Sequence, residues 1–322
     1  MPESNVHVVH SVTVDAPPSL VYDVVAEATR WPQVFGPTVH IEREDLGGGA
    51  ERLHLWATAN GEVRNWTSRR ELDPRARRVD FRQEKPQHPV AAMGGQWRIC
   101  DAGGGRTLVE LTHDYRAVGD DPANLEWIGR AVDRNSDAEL ASIRTAVESW
   151  AERADLEFSF ADSVQVDGQA AAVYEFLYRS DLWPQRLPHV AKLDLTEERP
   201  GVQLMEMDTI AKDGAVHTTT SARVCFPREL IVYKQLATPK LLAAHTGSWV
   251  IEPAADGGVT VTSHHTVVLN PEAIVAVLGA GTSTADARAA VRAALGGNSR
   301  ITLEHAKAHA ENSVENAGVS AG

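Results

Sequence analysis

The stretch "VYDVVAEATRWPQ", residues 21–33, returns as "VYEFLYRSDLWPQ" at residues 173–185. Widened to 11–33 against 163–185, the two phrases agree at nine of 23 positions without a gap, among them Asp15/Asp167, Tyr22/Tyr174, Trp31/Trp183 and Pro32/Pro184. The correspondence continues through Gly61/Gly214, Ser68/Ser221, Arg70/Arg223 and Trp97/Trp249, and ends with Asn135-Ser136 against Asn298-Ser299. A unit this long is not one turn of a solenoid. It is a domain written twice, with an expected division into 1–153 and 154–322 and no flexible Gly/Ser linker in the joining "ADLEFSF" (154–160).

Each copy spells the same order of elements. In the first, Val8, His10, Val12 and Val14 alternate as in a strand, and "DAPPSLVYDVV" follows with the Asp and Pro residues that open a helix. "TRWP" should break that helix, because Pro32 disfavours helical geometry at the residue before it. From about 39 to 118 the text is short period-2 runs between turn signals such as "DLGGGAE" and "DAGGGRT", an antiparallel meander. A helix over about 124–154 closes the copy, with Leu140, Ile143, Val147 and Trp150 at helical spacing. The order implies an α+β fold, a curved antiparallel sheet around a long C-terminal helix with a cavity between them. The second copy carries an extra Ala-rich stretch, Pro271 to Gly297, before its last helix.

Composition narrows the function. With 322 residues, 43% apolar and 23% charged, the chain has the make-up of soluble globular domains. A net charge of −13 argues against nucleic acid as the main partner. Cys100 and Cys225 stand alone in their halves, which fits a reducing cytoplasm and no zinc site or disulfide framework. The N-terminal text lacks the basic and apolar regions of a signal peptide, and no apolar run is long enough for a membrane span. No HExxH, GxSxG or P-loop occurs, and "GAGTST" (279–284) lacks the third glycine and preceding strand of a dinucleotide site.

The phrase "APPSLVYDVV", the Trp-Pro after it, the strand "NWTSRR" (65–70) and the duplication together resemble the di-domain polyketide aromatase/cyclases of bacterial type II polyketide synthases. These are helix-grip proteins, START-like and Bet v 1-like. The resemblance covers essentially the whole chain. It implies a poly-β-ketone substrate carried by an acyl carrier protein, with its C9 carbonyl already reduced. It implies closure of the first ring, C7–C12, by aldol chemistry, followed by aromatisation through loss of water. It implies company with the ketosynthase/chain-length factor and ketoreductase, and no metal or organic cofactor. The alternative is a non-catalytic START-like carrier of a lipid or isoprenoid; a third reading is a pair of scaffolding pseudo-domains.

Strand parity selects the candidate site residues. Arg70 shares a face with Trp66, Ser68 and Leu72, which points it inward, where a guanidinium needs hydrogen-bond acceptors. A strand-margin Arg reaching solvent is the plain alternative. The family's pocket Arg matches Arg70 and Arg223, and the resemblance gives them an oxyanion role, with Ser68 and Ser221 orienting the Arg or a water. His113 shares a face with Val109, Leu111 and Tyr115 and is a natural general acid/base; a hydrogen-bonded core His is the alternative. In the second copy, matching sets His264 against His113, whereas the parity of Val259, Val261 and Val267 turns His265 inward; His264 is taken as catalytic and His265 as pocket-lining. Trp31 and Trp183 are either pocket walls or core anchors. Glu139 stands on the last helix where relatives place a polar pocket residue. The first copy keeps Trp66 where the second has Thr219, so it is expected to be the closer match to a catalytic single-domain relative. "RRELDPRARR" (69–78) is a docking patch for an acidic carrier protein or a solvated hairpin.

Overall fold

A computed structural model describes residues 5–59, 61–210, 214–255 and 257–319, with side chains as far as residue 313. The chain divides into two units between Glu152 and Arg153.

In the first unit β1 (Val6–Val14) leads into α1 (Pro18–Ala26) and the one-turn α2 (Trp31–Val34). Six strands follow: β2 (Thr38–Gly47), β3 (Ala50–Ala59), β4 (Glu62–Asp73), β5 (Arg78–Gln83), β6 (Val90–Gly103) and β7 (Arg106–Ala117). They form one antiparallel sheet in the order β1-β7-β6-β5-β4-β3-β2, so the first strand pairs with the last. Then come α3 (Pro122–Glu148) and α4 (Trp150–Leu156), the latter crossing the division between units. The Asp121 carboxylate accepts from the Asn124 N–H and caps α3. The helix lays Ile128, Val132, Ser136, Leu140, Ile143 and Val147 along one buried stripe, and its C-terminal part joins Val14, Val21, Val25, Trp97, Val109 and Leu111 in the core.

The second unit repeats the plan with β8 (Glu157–Val166), α5 (Ala170–Tyr178), α6 (Trp183–Arg186), β9 (Val190–Arg199), β10 (Val202–Ile210), β11 (Val216–Phe226), β12 (Leu230–Ala237), β13 (Leu242–Pro253) and β14 (Val259–Leu269). Its sheet order is β8-β14-β13-β12-β11-β10-β9. After it come α7 (Pro271–Leu278) and α8 (Thr284–Val319). Among the described residues no helix is long and apolar enough to cross a membrane.

Three local expectations change. The first helix breaks at Glu27 (φ −82°, ψ 77°), not at Trp31, which is helical (φ −58°, ψ −31°). Pro32 stands in the first turn of α2, where its missing N–H costs nothing, so Trp-Pro starts a helix here. The closing helix of the first unit stops at Glu148, with Ser149 at its C-cap, and does not run unbroken to 154. The Ala-rich stretch of the second unit is largely helix: α8 begins at Thr284 and passes through Gly296-Gly297.

The register of the first sheet places Glu51, Arg70, Phe81, Gly95, His113 and Val8 in one cross-strand row. The second sheet has the matching row Gln203, Arg223, Tyr233, Gly247, His265 and Phe160. Arg and His are three strand steps apart, roughly 14 Å along a curved sheet. The glycine between them leaves room for the aromatic ring, which stands edge-on to the histidine. A Cβ on Gly95 would sit 2.0 Å from the Thr112 carbonyl oxygen and 2.6 Å from the Phe81 ring. Gly95→Ala is therefore expected to cost about 1–3 kcal/mol in urea unfolding. Gly36→Ala, where a Cβ meets nothing within 4 Å, should cost clearly less.

Candidate active site

Arg70 is 2% exposed, so parity placed it correctly. Its Nε donates to Glu51 Oε1 (2.8 Å), Nη1 to the Val25 carbonyl (3.0 Å) and Nη2 to the Ala26 carbonyl (2.6 Å). Nη2 also lies 2.5 Å from Glu51 Oε1, and the guanidinium stacks 5.0 Å from the Trp31 ring centroid. Burial works against this cation and the Glu51 carboxylate supports it. Three hydrogen bonds thus tie Arg70 to Glu51 and the end of α1. Its first work is to cap a helix.

Arg223 occupies the same place, 1% exposed, with Nη2 donating to the Leu177 carbonyl (2.6 Å) and Trp183 stacked at 5.4 Å. Its cross-strand partner is Gln203 where the first unit has Glu51. Gln203 donates to Glu197 Oε2 (2.8 Å) and to the Tyr178 carbonyl (3.3 Å). Arg223 Nη1 finds no partner among the described residues. Burial depresses this guanidinium too, opposed in part by Glu197, with which no ion pair forms among the described residues.

Trp31 and Trp183 are core anchors that also carry the arginines. Each indole N–H donates to a carbonyl seven residues back, Val24 at 3.2 Å and Phe176 at 3.0 Å. Trp66 is half-buried against Leu55. The Ser68 hydroxyl is committed to the Arg82 carbonyl (3.2 Å), so it does not orient Arg70; Ser221 is buried at the matching position of β11.

His113 is half-buried on the inner face, edge-on to Phe81 (5.4 Å), with Nδ1 3.4 Å from the Ser136 hydroxyl of α3. Burial, helped by His10, holds its pKa down to about 4, so the imidazole is neutral near pH 7. Glu139 follows Ser136 by one helical turn. It retains exposed area although its carboxyl is surrounded by protein, as for a group that faces an internal space, and burial lifts its pKa to about 7. A neutral base and a carboxyl poised to give up its proton near pH 7 therefore share one side of the first unit's interior.

In the second unit the matching histidine is His265, not His264. His264 is exposed on the outer face of the sheet, and His265 is 3% exposed. The register explains the correction: His113 pairs with Gly95 and His265 with Gly247, and both pairs keep the spacing that relates Trp97 to Trp249. His265 Nε2 meets the hydroxyls of Ser299 (2.6 Å) and Ser263 (3.1 Å). Its Nδ1 meets the Tyr233 hydroxyl (3.1 Å) and His245 Nε2 (2.9 Å). Ser299 is the repeat partner of Ser136, so the helix-serine-to-strand-histidine contact recurs in both units. Tyr233 and His245, which replace Phe81 and Met93, escaped the sequence reading, although strand parity with Ile231 and Trp249 would have found them. Of the arginine-rich segment only Arg70 is fully buried; Arg69 and Arg78 lie beside Glu71 and Asp80 on an exposed hairpin. Among the described residues no three His, Cys, Asp or Glu side chains form a metal site.

Burial lowers His245 to about 3 and His265 to about 4, below the ordinary value of 6.5. The unfolded chain therefore takes up protons first as pH falls. Stability is full above about pH 6.5 and declines from there toward pH 3–4, by on the order of 1.4 kcal/mol per pH unit for each histidine. Replacing His245 by Met, the first unit's residue, should flatten that slope in urea unfolding followed between pH 7 and pH 4.

Comparison with known proteins agrees with this architecture. The profile of a family described as "Polyketide cyclase / dehydrase and lipid transport" matches residues 5–148. The actinorhodin polyketide synthase bifunctional cyclase/dehydratase of Streptomyces coelicolor is 46% identical over 94% of this chain and 96% of its own. The granaticin polyketide synthase bifunctional cyclase/dehydratase of Streptomyces violaceoruber is 44% identical, over 92% of each chain. The crystal structure of the di-domain ARO/CYC BexL superposes with a TM-score of 0.87 at 51% identity, over 95% of this chain and 99% of that one. That of StfQ, from the steffimycin biosynthetic pathway, gives 0.85 at 37% identity, over 96% and 99%. With both helix-grip units and their inward Arg–His rows covered, the chain belongs to the di-domain polyketide aromatase/cyclases and is an enzyme of the cyclase/dehydratase class.

Proposed function

We propose that the enzyme folds a C9-reduced poly-β-ketone, held as a thioester on an acyl carrier protein, closes its first ring between C7 and C12, and aromatises it by loss of water. It would work in the cytoplasm beside the ketosynthase/chain-length factor and ketoreductase of a type II polyketide synthase. The observation that carries this reading is the neutral His113, edge-on to Phe81, and the protonatable Glu139 on the interior side of the first unit.

An aldol closure needs a base at an α-carbon and a fixed conformer, and little else. His113 takes the α-proton, the enolate carbon attacks the facing carbonyl carbon, and the new alkoxide is protonated. His113 returns its proton to that alkoxide, and in the dehydration it takes a second α-proton as the carbinol oxygen accepts the Glu139 proton and departs as water. The atoms balance with one water released for each carbinol lost. Holding one conformer of a flexible chain contributes up to roughly 7–11 kcal/mol of the barrier reduction. Proton transfer by a placed side chain contributes about 10²–10⁴-fold. Arg70 acts by fixing the end of α1 and the Trp31 ring stacked on it.

Reconstitution with a minimal polyketide synthase and its ketoreductase tests the proposal. Wild type should divert the carrier-bound chain from shunt products to a ring-aromatised product, and His113→Ala should lower that yield at least tenfold. The dehydration rate should fall as pH rises through about 7, where Glu139 loses its proton. Glu139→Gln should be slower and lack that limb. If wild type changes no product across several chain lengths, a START-like carrier role takes its place.

A further inference from the structure

Beside each interior histidine the neighbouring strand carries a second ionisable side chain, and the two units differ in its chemistry. In the first, His10 lies half-buried on the inner face of β1 between Val8 and Val12, opposite Leu111 and diagonal to His113. In the second, Asp162 takes the same place on β8, opposite Ser263 and diagonal to His265. Diagonal neighbours of this kind stand roughly 7–8 Å apart, near enough for a charge on one to act on the other. Beyond burial, which lowers both histidines, the actions are opposite in sign: His10 works against a proton on His113, and Asp162 favours one on His265.

Both side chains are tied to the closing helix of their unit. His10 Nε2 lies 3.0 Å from Asp133 Oδ1, one helical turn before Ser136, the residue that meets His113. The carboxylate only accepts, so Nε2 carries a hydrogen, and in the neutral ring Nδ1, buried and unpartnered among the described residues, keeps its lone pair. Asp162 Oδ1 accepts from Arg292 (2.9 Å) and Arg300 (2.6 Å) of α8, beside Ser299, the residue that meets His265. Arg292 reaches it by lying over Gly296, where a Cβ would come within 1.8 Å of the guanidinium. Each unit thus ties strand to helix beside its serine–histidine contact, with an imidazole on the strand in one and a carboxylate in the other. The elements around His113 bring further ionisable groups, Asp133 and Glu139 on α3 and Asp114 and Tyr115 on β7 itself, whereas β5 and β6 bring Phe81 and Gly95. Among the described residues none of these forms an ion pair with His113.

We infer that His10 is a positioning residue for the proton transfers at His113: tied to Asp133 at the seam of β1 and α3, it fills the diagonal position with an imidazole and keeps a carboxylate out of it. The inference rests on the reading of His113 as the proton-transfer group and adds the residue that governs how firmly its proton is held. His113 takes the α-proton and must give it up again to the alkoxide. A carboxylate on the diagonal would stabilise the imidazolium and hold that proton on the ring. In the second unit Asp162 does stand there, and two arginines offset it.

Nuclear magnetic resonance of labelled histidine rings in the full-length protein gives the first readout, with His113→Gln identifying the resonance. His10→Asp, which installs the second unit's residue, should raise the His113 midpoint by about one pH unit or more. His10→Asn, which removes the ring without adding charge, should raise it by less than half as much. The second readout is ring formation in reconstitution. At neutral pH His10→Asp should yield less than His10→Asn by about threefold or more, and the gap should narrow as pH rises and solvent strips the held proton. Circular dichroism and thermal melting check each variant, and His10→Glu brings the carboxylate if His10→Asp does not fold. A His113 midpoint that the carboxylate leaves in place, or equal yields from the aspartate and asparagine variants, overturns the inference. Equal yields alongside an inactive His113→Ala sink this inference and leave the reading of His113 standing. Full ring formation by His113→Ala removes that reading and the inference with it.

Discussion

A guanidinium held against the last carbonyls of a short helix is the constraint around which each unit is organised. The first helix of each unit must stop after nine residues so that the chain can turn under the sheet. Its final carbonyls then point at a buried side chain. An arginine from the middle of the sheet supplies the missing donors, and the tryptophan of the next turn covers its face. The strand that carries the arginine is thereby tied to the helix that closes the chamber. Burying a charge for this purpose is expensive, and the two units meet the cost differently, with an ion pair in one and a nearly bare cation in the other.

From that anchor the interior grades toward the histidine on the far side of the sheet. The first unit lines the way with Phe81 and Met93, and the second with Tyr233 and His245. The same backbone thus encloses one chiefly apolar space and one polar one. An apolar wall suits selection among conformers of a long chain by shape. A polar wall suits recognition of oxygen positions.

The fold was largely legible because its signals are local: alternation, turn glycines, and a phrase said twice. Arg70 and His113 were also legible, since parity alone decides which face a strand residue takes. What parity could not show was company. That Glu51 faces Arg70 follows from register across the β3–β4 hairpin. His264 was preferred over His265 because the copies were aligned by text, although the apolar pattern of β14 already favoured His265. The helix break was misplaced by four residues, because a proline after tryptophan reads equally well as an end or a beginning.

The spacing between the copies has a consequence for how such a chain can change. Glu51 and Gln203, Phe81 and Tyr233, and His113 and His265 are each 152 residues apart, whereas Arg70 and Arg223 are 153 apart. The one-residue difference is introduced across the β3–β4 and β10–β11 connections and removed across the β4–β5 and β11–β12 connections. Within the sheets, length variation has been confined to hairpin tips, and the cross-sheet rows have been left in step. A gene segment running from the middle of β5 to the end of β7 could therefore trade places with its twin from β12 to β14 without shifting any row. Unequal recombination within one gene would then exchange the apolar lining for the polar one as a single inherited cassette.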